Sequence, residues 1–286
     1  MDLHLAQTPY SDPGDLDVSG LPHEPGQLAA LVRGLVIHRA EGWRIGHEIP
    51  EERQHDDPEA RYVREILRIL RERDPAPLTE ARAYEARFVG TCRDFALLLC
   101  ALLRATGTPA RLRCGFADYL AEGFHDDHWV AEYRLPDGSW RLVDAQVAHP
   151  SYPLDFDPAD VPRDRFLVAG DAWRGCREGA ADPRGFGVWG HDQLAGLWYI
   201  GANIRLDLAA LIGVELLPWD AWGPQERSDA ALTEEDLALF DAVAAARTDE
   251  ELRRLARDPR LAVPDEVLSY TSRSGYREAR RVRPAG

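Results

Sequence analysis

Between Gly90 and Pro109 the chain reads GTCRDFALLLCALLRATGTP, with apolar residues on nearly every side of a helix from Phe95 to Leu103. Such a run predicts a helix buried all round. Its ends are marked: Thr91 stands three positions before Asp94 in the capping-box arrangement, and Gly107 with Pro109 supplies the stop. Upstream, Leu28, Leu31, Val32 and Leu35 fall at helical spacing between Pro25 and Arg39, and Val63, Ile66, Leu67 and Leu70 do so between Pro58 and Arg73. These two stretches predict amphipathic helices, with a short third over Thr79 to Arg87 after the breaks at Pro75 and Pro77.

Past the buried helix the period becomes that of a strand. Ala110, Leu112, Cys114 and Phe116 alternate with Arg111, Arg113 and Gly115, and two further runs flank the turn sequence PDGS at 136–139. A hairpin follows from this pattern. With a three-residue loop, Pro136 to Gly138, closed by a left-handed glycine, Leu135 faces Ser139. That register sets Asp144 opposite Val130 and diagonal to His128 on one sheet face, with Gln146 opposite His128. Trp129, Ala131, Tyr133, Val143 and Ala145 then form the apolar other face, whereas a four-residue loop would split His128 from Asp144.

Further helical patterns lie near Arg163 to Trp173, Leu194 to Leu211, Glu234 to Arg247 and Glu250 to Arg257, without an internal repeat. The expected class is α+β: an extended lead-in over 1–20, then one domain over 21–286. Within it a core spans about 88–150 and a helical elaboration about 160–286.

Charge and composition narrow the function classes. The 34 basic residues are all arginine and face 49 acidic ones, a net charge of −15 that repels phosphate backbones and anionic membrane surfaces. No nucleic-acid or membrane partner is expected. The N-terminus has no apolar signal segment, and the longest apolar run, Phe95 to Leu103, is about half of the ~20 residues a bilayer span needs. The expectation is a cytoplasmic protein whose four cysteines, Cys92, Cys100, Cys114 and Cys176, are free thiols.

Cys92 is the thiol to single out. As the first helical residue after Thr91 it meets unpaired backbone N–H groups and the positive helix end, which favour a thiolate nucleophile, and its own N–H suits an oxyanion. Gly90 would leave room for an acyl group to approach. A free cysteine is as often only a small buried hydrophobe, a reading that fits Cys100 and Cys114 better. A base needs an acceptor on its second ring nitrogen, so His128 with Asp144 completes the logic of a nucleophile, histidine and carboxylate.

GTCRDFALLLCALLRATGTPARLRCGF, DHWVAEY and DGSWRLVDAQ together resemble the transglutaminase-like core, a papain-related superfamily, over Gly90 to Gln146. The resemblance implies that Cys92 attacks an acyl carbon, His128 shuttles the proton and Asp144 holds the imidazole, with a central helix packed on an antiparallel sheet. FLVAGDAW, GLWYI and ELLPWDAWG are similar to a bacterial branch of that family. The implied substrate is a small-molecule or peptide acyl compound, and water or a small amine is the acceptor.

Further site candidates are Gln146 and Tyr84 as a second oxyanion donor, Trp129 as a pocket wall, and Asn203 with Arg205 in the apolar run from Leu197 to Val214 as contacts to a substrate carboxylate. For the last two an interior hydrogen bond or ion pair is the plainer expectation. His125 to His128 fit no zinc spacing and read as a solvated loop leading into a strand. No metal and no organic cofactor is implied, since phosphate-binding and dinucleotide-binding glycine patterns are missing. The competing readings are a non-catalytic binding or scaffold protein on the same fold, and a metal-dependent hydrolase using His125 and His128.

Overall fold

The computed structural model describes residues 2–223 and 228–285. The all-apolar run becomes a helix, Cys92–Ala105, in which every residue from Cys92 to Arg104 is buried. It ends where Gly107 takes a left-handed φ of +93° and Thr108 N donates to Leu103 O at 2.8 Å.

The described chain divides into two compact units: one runs to Leu112 and resumes over Val130–Val161, the other takes Arg113–Trp129 and the chain from Pro162 onward. The first opens with α1 (Pro25–Leu35), β1 (Val36–His38), α2 (Gly42–Ile45), α3 (Glu51–Asp56), α4 (Val63–Arg73), β2 (Phe88–Gly90) and α5 (Cys92–Ala105). The helix α1 buries Leu28, Val32 and Leu35 of its predicted stripe and leaves Leu31 half-buried, α4 buries Val63, Ile66, Leu67 and Leu70, and both pack on α5.

Here the chain departs from the expected elements twice. The first helix stops at Leu35, because the β-branched pair Val36 and Ile37 pairs in parallel with β2, Val36 opposite Phe88 and His38 opposite Gly90. Thr79 to Arg87 forms only a 3-10 turn at Tyr84–Ala86. The Arg82 guanidinium takes the carbonyls of Pro77 and Glu80 at 3.0 and 2.8 Å, and Arg82 N goes to Gly34 O, so the local partners of a helix are committed elsewhere. Residues 2–20 carry no regular element, yet they are not a loose lead-in. Tyr10 and Ser11 are fully buried, Tyr10 O accepts from Val63 N, and Ser11 accepts from Arg104 Nη1 at 2.8 Å.

Two long strands, β3 (Ala110–Ala121) and β4 (Phe124–Arg134), run from one unit into the other. In the first unit β4 pairs with β5 (Trp140–Val143) with Ala131 opposite Val143 and Arg134 opposite Trp140. Leu135 N donates to Ser139 O at 2.8 Å and Gly138 has φ +89°, so the loop has the predicted three residues and left-handed glycine.

In the second unit β3 pairs with β6 (Phe166–Val168), and β4 pairs in parallel with β7 (Phe186–Gly187). Gly115 is required at the first of these pairings, since a Cβ there would lie 2.2 Å from Leu167 O. The helices are α6 (Ala169–Arg177), α7 (Leu197–Leu211), α8 (Glu234–Ala245) and α9 (Asp249–Leu255). Trp173, Phe116, Phe186, Phe240, Ile200 and Ile204 share one core. Asp207 on α7 takes Arg113 Nε and Nη2 at 3.0 and 2.8 Å and Cys114 N at 2.8 Å, which fastens β3 to that helix. A separate antiparallel sheet joins β8 (Asp220–Ala221), β9 (Val267–Tyr270) and β10 (Ala279–Val282).

Candidate active site

The start of α5 is held from several directions. Asp94 accepts from Thr91 N at 2.8 Å and from the Thr91 hydroxyl at 3.1 Å, and its other oxygen takes Arg93 Nη1 at 3.1 Å. Arg93 also donates to Arg61 O at 2.7 Å, and both side chains of this ion pair are fully buried. Burial pushes the Asp94 carboxyl above its ordinary value, and Arg93 and Thr91 only partly offset it. Gly90 serves this cap more than an incoming acyl group: a Cβ there would meet Asp94 and Phe88 side-chain atoms at 3.0 to 3.1 Å.

Cys92 is therefore the first residue of a rigidly started helix, and it is 8% exposed. All four cysteines are free; Cys100 and Cys114 have no exposure, and burial pushes the partly exposed Cys176 thiol up to about 11. Cys92 is the thiol whose position favours the anion.

A cation near Cys92 escaped the reading of the sequence. Arg39 N donates to Gly90 O at 2.9 Å, one residue beyond the His38–Gly90 pairing, so Arg39 runs beside the start of α5. Burial lowers its guanidinium below the ordinary value, opposed first by Cys92 and then by Asp94 and Glu59. The legible signal was the β-branched pair ahead of it.

Arg39 also borders a cavity of about 430 Å³ together with Trp43, His47, Ile49 and Gln54. Its wall is anchored by Glu41, which takes both Arg33 Nη atoms at 2.6 and 3.1 Å, His38 N at 2.6 Å and the Tyr152 hydroxyl at 2.9 Å. The indole of Trp43 stands 77% exposed on that anchored turn.

The first unit also holds Asp144, Gln146 and Tyr84. Asp144, 1% exposed, directly follows β5; its N donates to Pro158 O and its Oδ1 accepts from Gln146 N at 2.9 Å. Gln146 is buried, and its Oε1 has no hydrogen-bond partner among the described residues. Tyr84 packs over Ile37, Ile49 and Val89, with the His47 ring tilted against it at 5.4 Å and the Arg87 guanidinium over its face.

His128 lies in the second unit, 1% exposed, with its ring edge-on to Tyr119 at 6.0 Å and Phe166 at 6.2 Å. The expectation of a solvated loop before it is wrong. His125 to His128 are part of β4, His125 stacks on Phe186 at 4.4 Å, and Asp127 is half-buried. Asp127 accepts from Tyr199 Oη at 3.2 Å and from Asn203 Nδ2 at 3.0 Å. Asn203 thus makes the interior hydrogen bond that was its plainer reading. Arg205 lies over the Phe240 ring at 4.8 Å; burial lowers its guanidinium, and Asp236 opposes that. The indole Nε1 of Trp129 has no hydrogen-bond partner among the described residues. Among the same residues no group of three or more His, Cys, Asp or Glu side chains converges as metal ligands.

The family model of the transglutaminase-like superfamily matches residues 54–145. A solved structure described as "a Putative Cysteine Protease from Cytophaga hutchinsonii" is 20% identical over 58% of this chain and 44% of that one, with a TM-score of 0.24. This chain spans less than half the length of that protein. A search of curated proteins returns no significant match.

Proposed function

We propose, from the match of residues 54–145 to the family model of the transglutaminase-like superfamily, that this protein is a cysteine-dependent acyl-transfer enzyme with Cys92 as nucleophile, His128 as base and Asp144 as the orienting carboxylate. The observation that carries the reading is Cys92 at the first position of a rigidly capped helix that is buried from Cys92 to Arg104, with Arg39 as a cation beside it.

The Cys92 thiolate attacks the carbonyl carbon of the acyl substrate, and the carbonyl oxygen becomes an anion held by the Cys92 N–H. The protonated His128 gives its proton to the departing amine, the C–N bond breaks and a thioester remains. His128 then takes a proton from water or a small amine, which attacks the thioester and releases the thiolate. Asp144 keeps the imidazole in the tautomer this cycle needs. Hydrolysis is the default outcome, and a small-molecule or peptide amide is the substrate class.

An acid quench of the protein with a panel of small amide and ester donors tests this. The acyl mass should appear on Cys92, and His128→Asn should lower turnover by roughly three orders of magnitude. Turnover with the acyl mass on another residue, or with none in a rapid quench, overturns the proposal.

A further inference from the structure

The β4 segment leading to His128 holds an arrangement that the cycle above does not use. Asp127 and His128 are consecutive on a strand, so their side chains leave on opposite faces. On its face Asp127 meets α7, where Tyr199 and Asn203 stand four residues apart and so share one side of the helix. Both of its oxygens are engaged by these neutral donors, one each. Among the described residues no arginine pairs with Asp127.

The titratable groups around it are Asp126 and His128 on β4, Tyr199 on α7 and, beyond Tyr199, Cys114 on β3. Arg113 and Asp207 nearby on β3 and α7 satisfy each other as a bidentate pair. The preceding residue is also held, since Asp126 Oδ1 accepts from Trp189 N at 2.8 Å.

We propose that Asp127, clamped by Tyr199 and Asn203, is a positioning residue for His128: it fixes the strand that carries the imidazole and, when ionised, favours the imidazolium. The role of His128 as base rests on the function proposed above; the electrostatic link between the two side chains does not. Burial, and after it Asp126, raises the Asp127 carboxyl to about 7, while Tyr199, Asn203 and His128 lower it. The carboxyl is thus mostly neutral below pH 7 and ionised above it. On the alkaline side its charge holds the proton on His128 longer, which extends the range in which a thiolate and an imidazolium coexist.

The test is the titration of the ¹³C-labelled histidine ring of His128 by NMR, assigned with His128→Gln, alongside the pH profile of kcat/KM. In Asp127→Asn the His128 midpoint should fall by about half to one pH unit, the size of an unscreened neighbouring charge at intermediate dielectric, while the distant histidines stay put. The alkaline limb of kcat/KM should move down with it. Tyr199→Phe, a milder change that leaves Asp127 harder to ionise, should move both in the same direction by less. An unchanged His128 midpoint in both variants overturns the inference. A shifted midpoint in a protein with no acyl-transfer activity would keep the inference and defeat the function it was joined to.

Discussion

Cys92→Ala should abolish acyl transfer, by roughly three to six orders of magnitude in kcat, while the protein keeps its fold. The side chain is small and 8% exposed, so trimming it leaves a cavity costing only about 1 kcal/mol. The cap made by Thr91, Asp94 and Arg93 does not involve the sulfur. Circular dichroism and a melting curve close to those of the parent, together with loss of turnover, are the expected pair of results. Retained activity in Cys92→Ala would move the chemistry to another residue.

Asp94→Ala should give the largest loss of stability of any single change near the site. It removes the carboxylate that receives Thr91 N, the Thr91 hydroxyl and Arg93, and so breaks an ion pair whose two side chains are fully buried. Breaking a buried pair in this way costs about 3 to 5 kcal/mol, and a lost helix cap adds roughly 1. At this chain length that lowers the melting temperature by roughly 10 °C. Asp94→Asn can still accept from Thr91 and should lose much less. Replacing both partners, with Arg93→Met and Asp94→Leu, should recover part of the loss, since both charges of the pair are then removed together. Urea denaturation of the four proteins gives the comparison, and an Asp94→Ala variant within about 1 kcal/mol of the parent would contradict it.

The elements that could be read from the sequence were those whose pattern is long or whose ends are chemically marked. The buried helix announced itself through Thr91, Asp94 and Gly107, and the hairpin register followed from Gly138 because turn length fixes parity. Three-residue strands such as Val36–His38 and Phe88–Gly90 are too short for a period to appear, and their parallel pairing is decided by residues some fifty positions apart. Arg39 was lost with them. Thr79 to Arg87 looked helical by composition, but the side chain of Arg82 satisfies carbonyls that a helix would have used.

Asp127 was misread for a different reason. Two aspartates flanked by histidines read as wet, because burying a carboxylate is unfavourable without partners. The partners, Tyr199 and Asn203, lie more than seventy residues away on a helix whose apolar run gave no hint of what it faces. Asn203 in that run was the one visible sign, since a buried amide obliges a partner somewhere.

Per-cysteine alkylation rates measured by mass spectrometry against pH test most directly whether Cys92 is the activated thiol. Iodoacetamide should modify Cys92 first among the four cysteines, with a rate that levels off at a pH well below the ordinary thiol value of about 8.5. Faster labelling of the more exposed Cys176, or a Cys92 rate that climbs only above about pH 8.5, would contradict it.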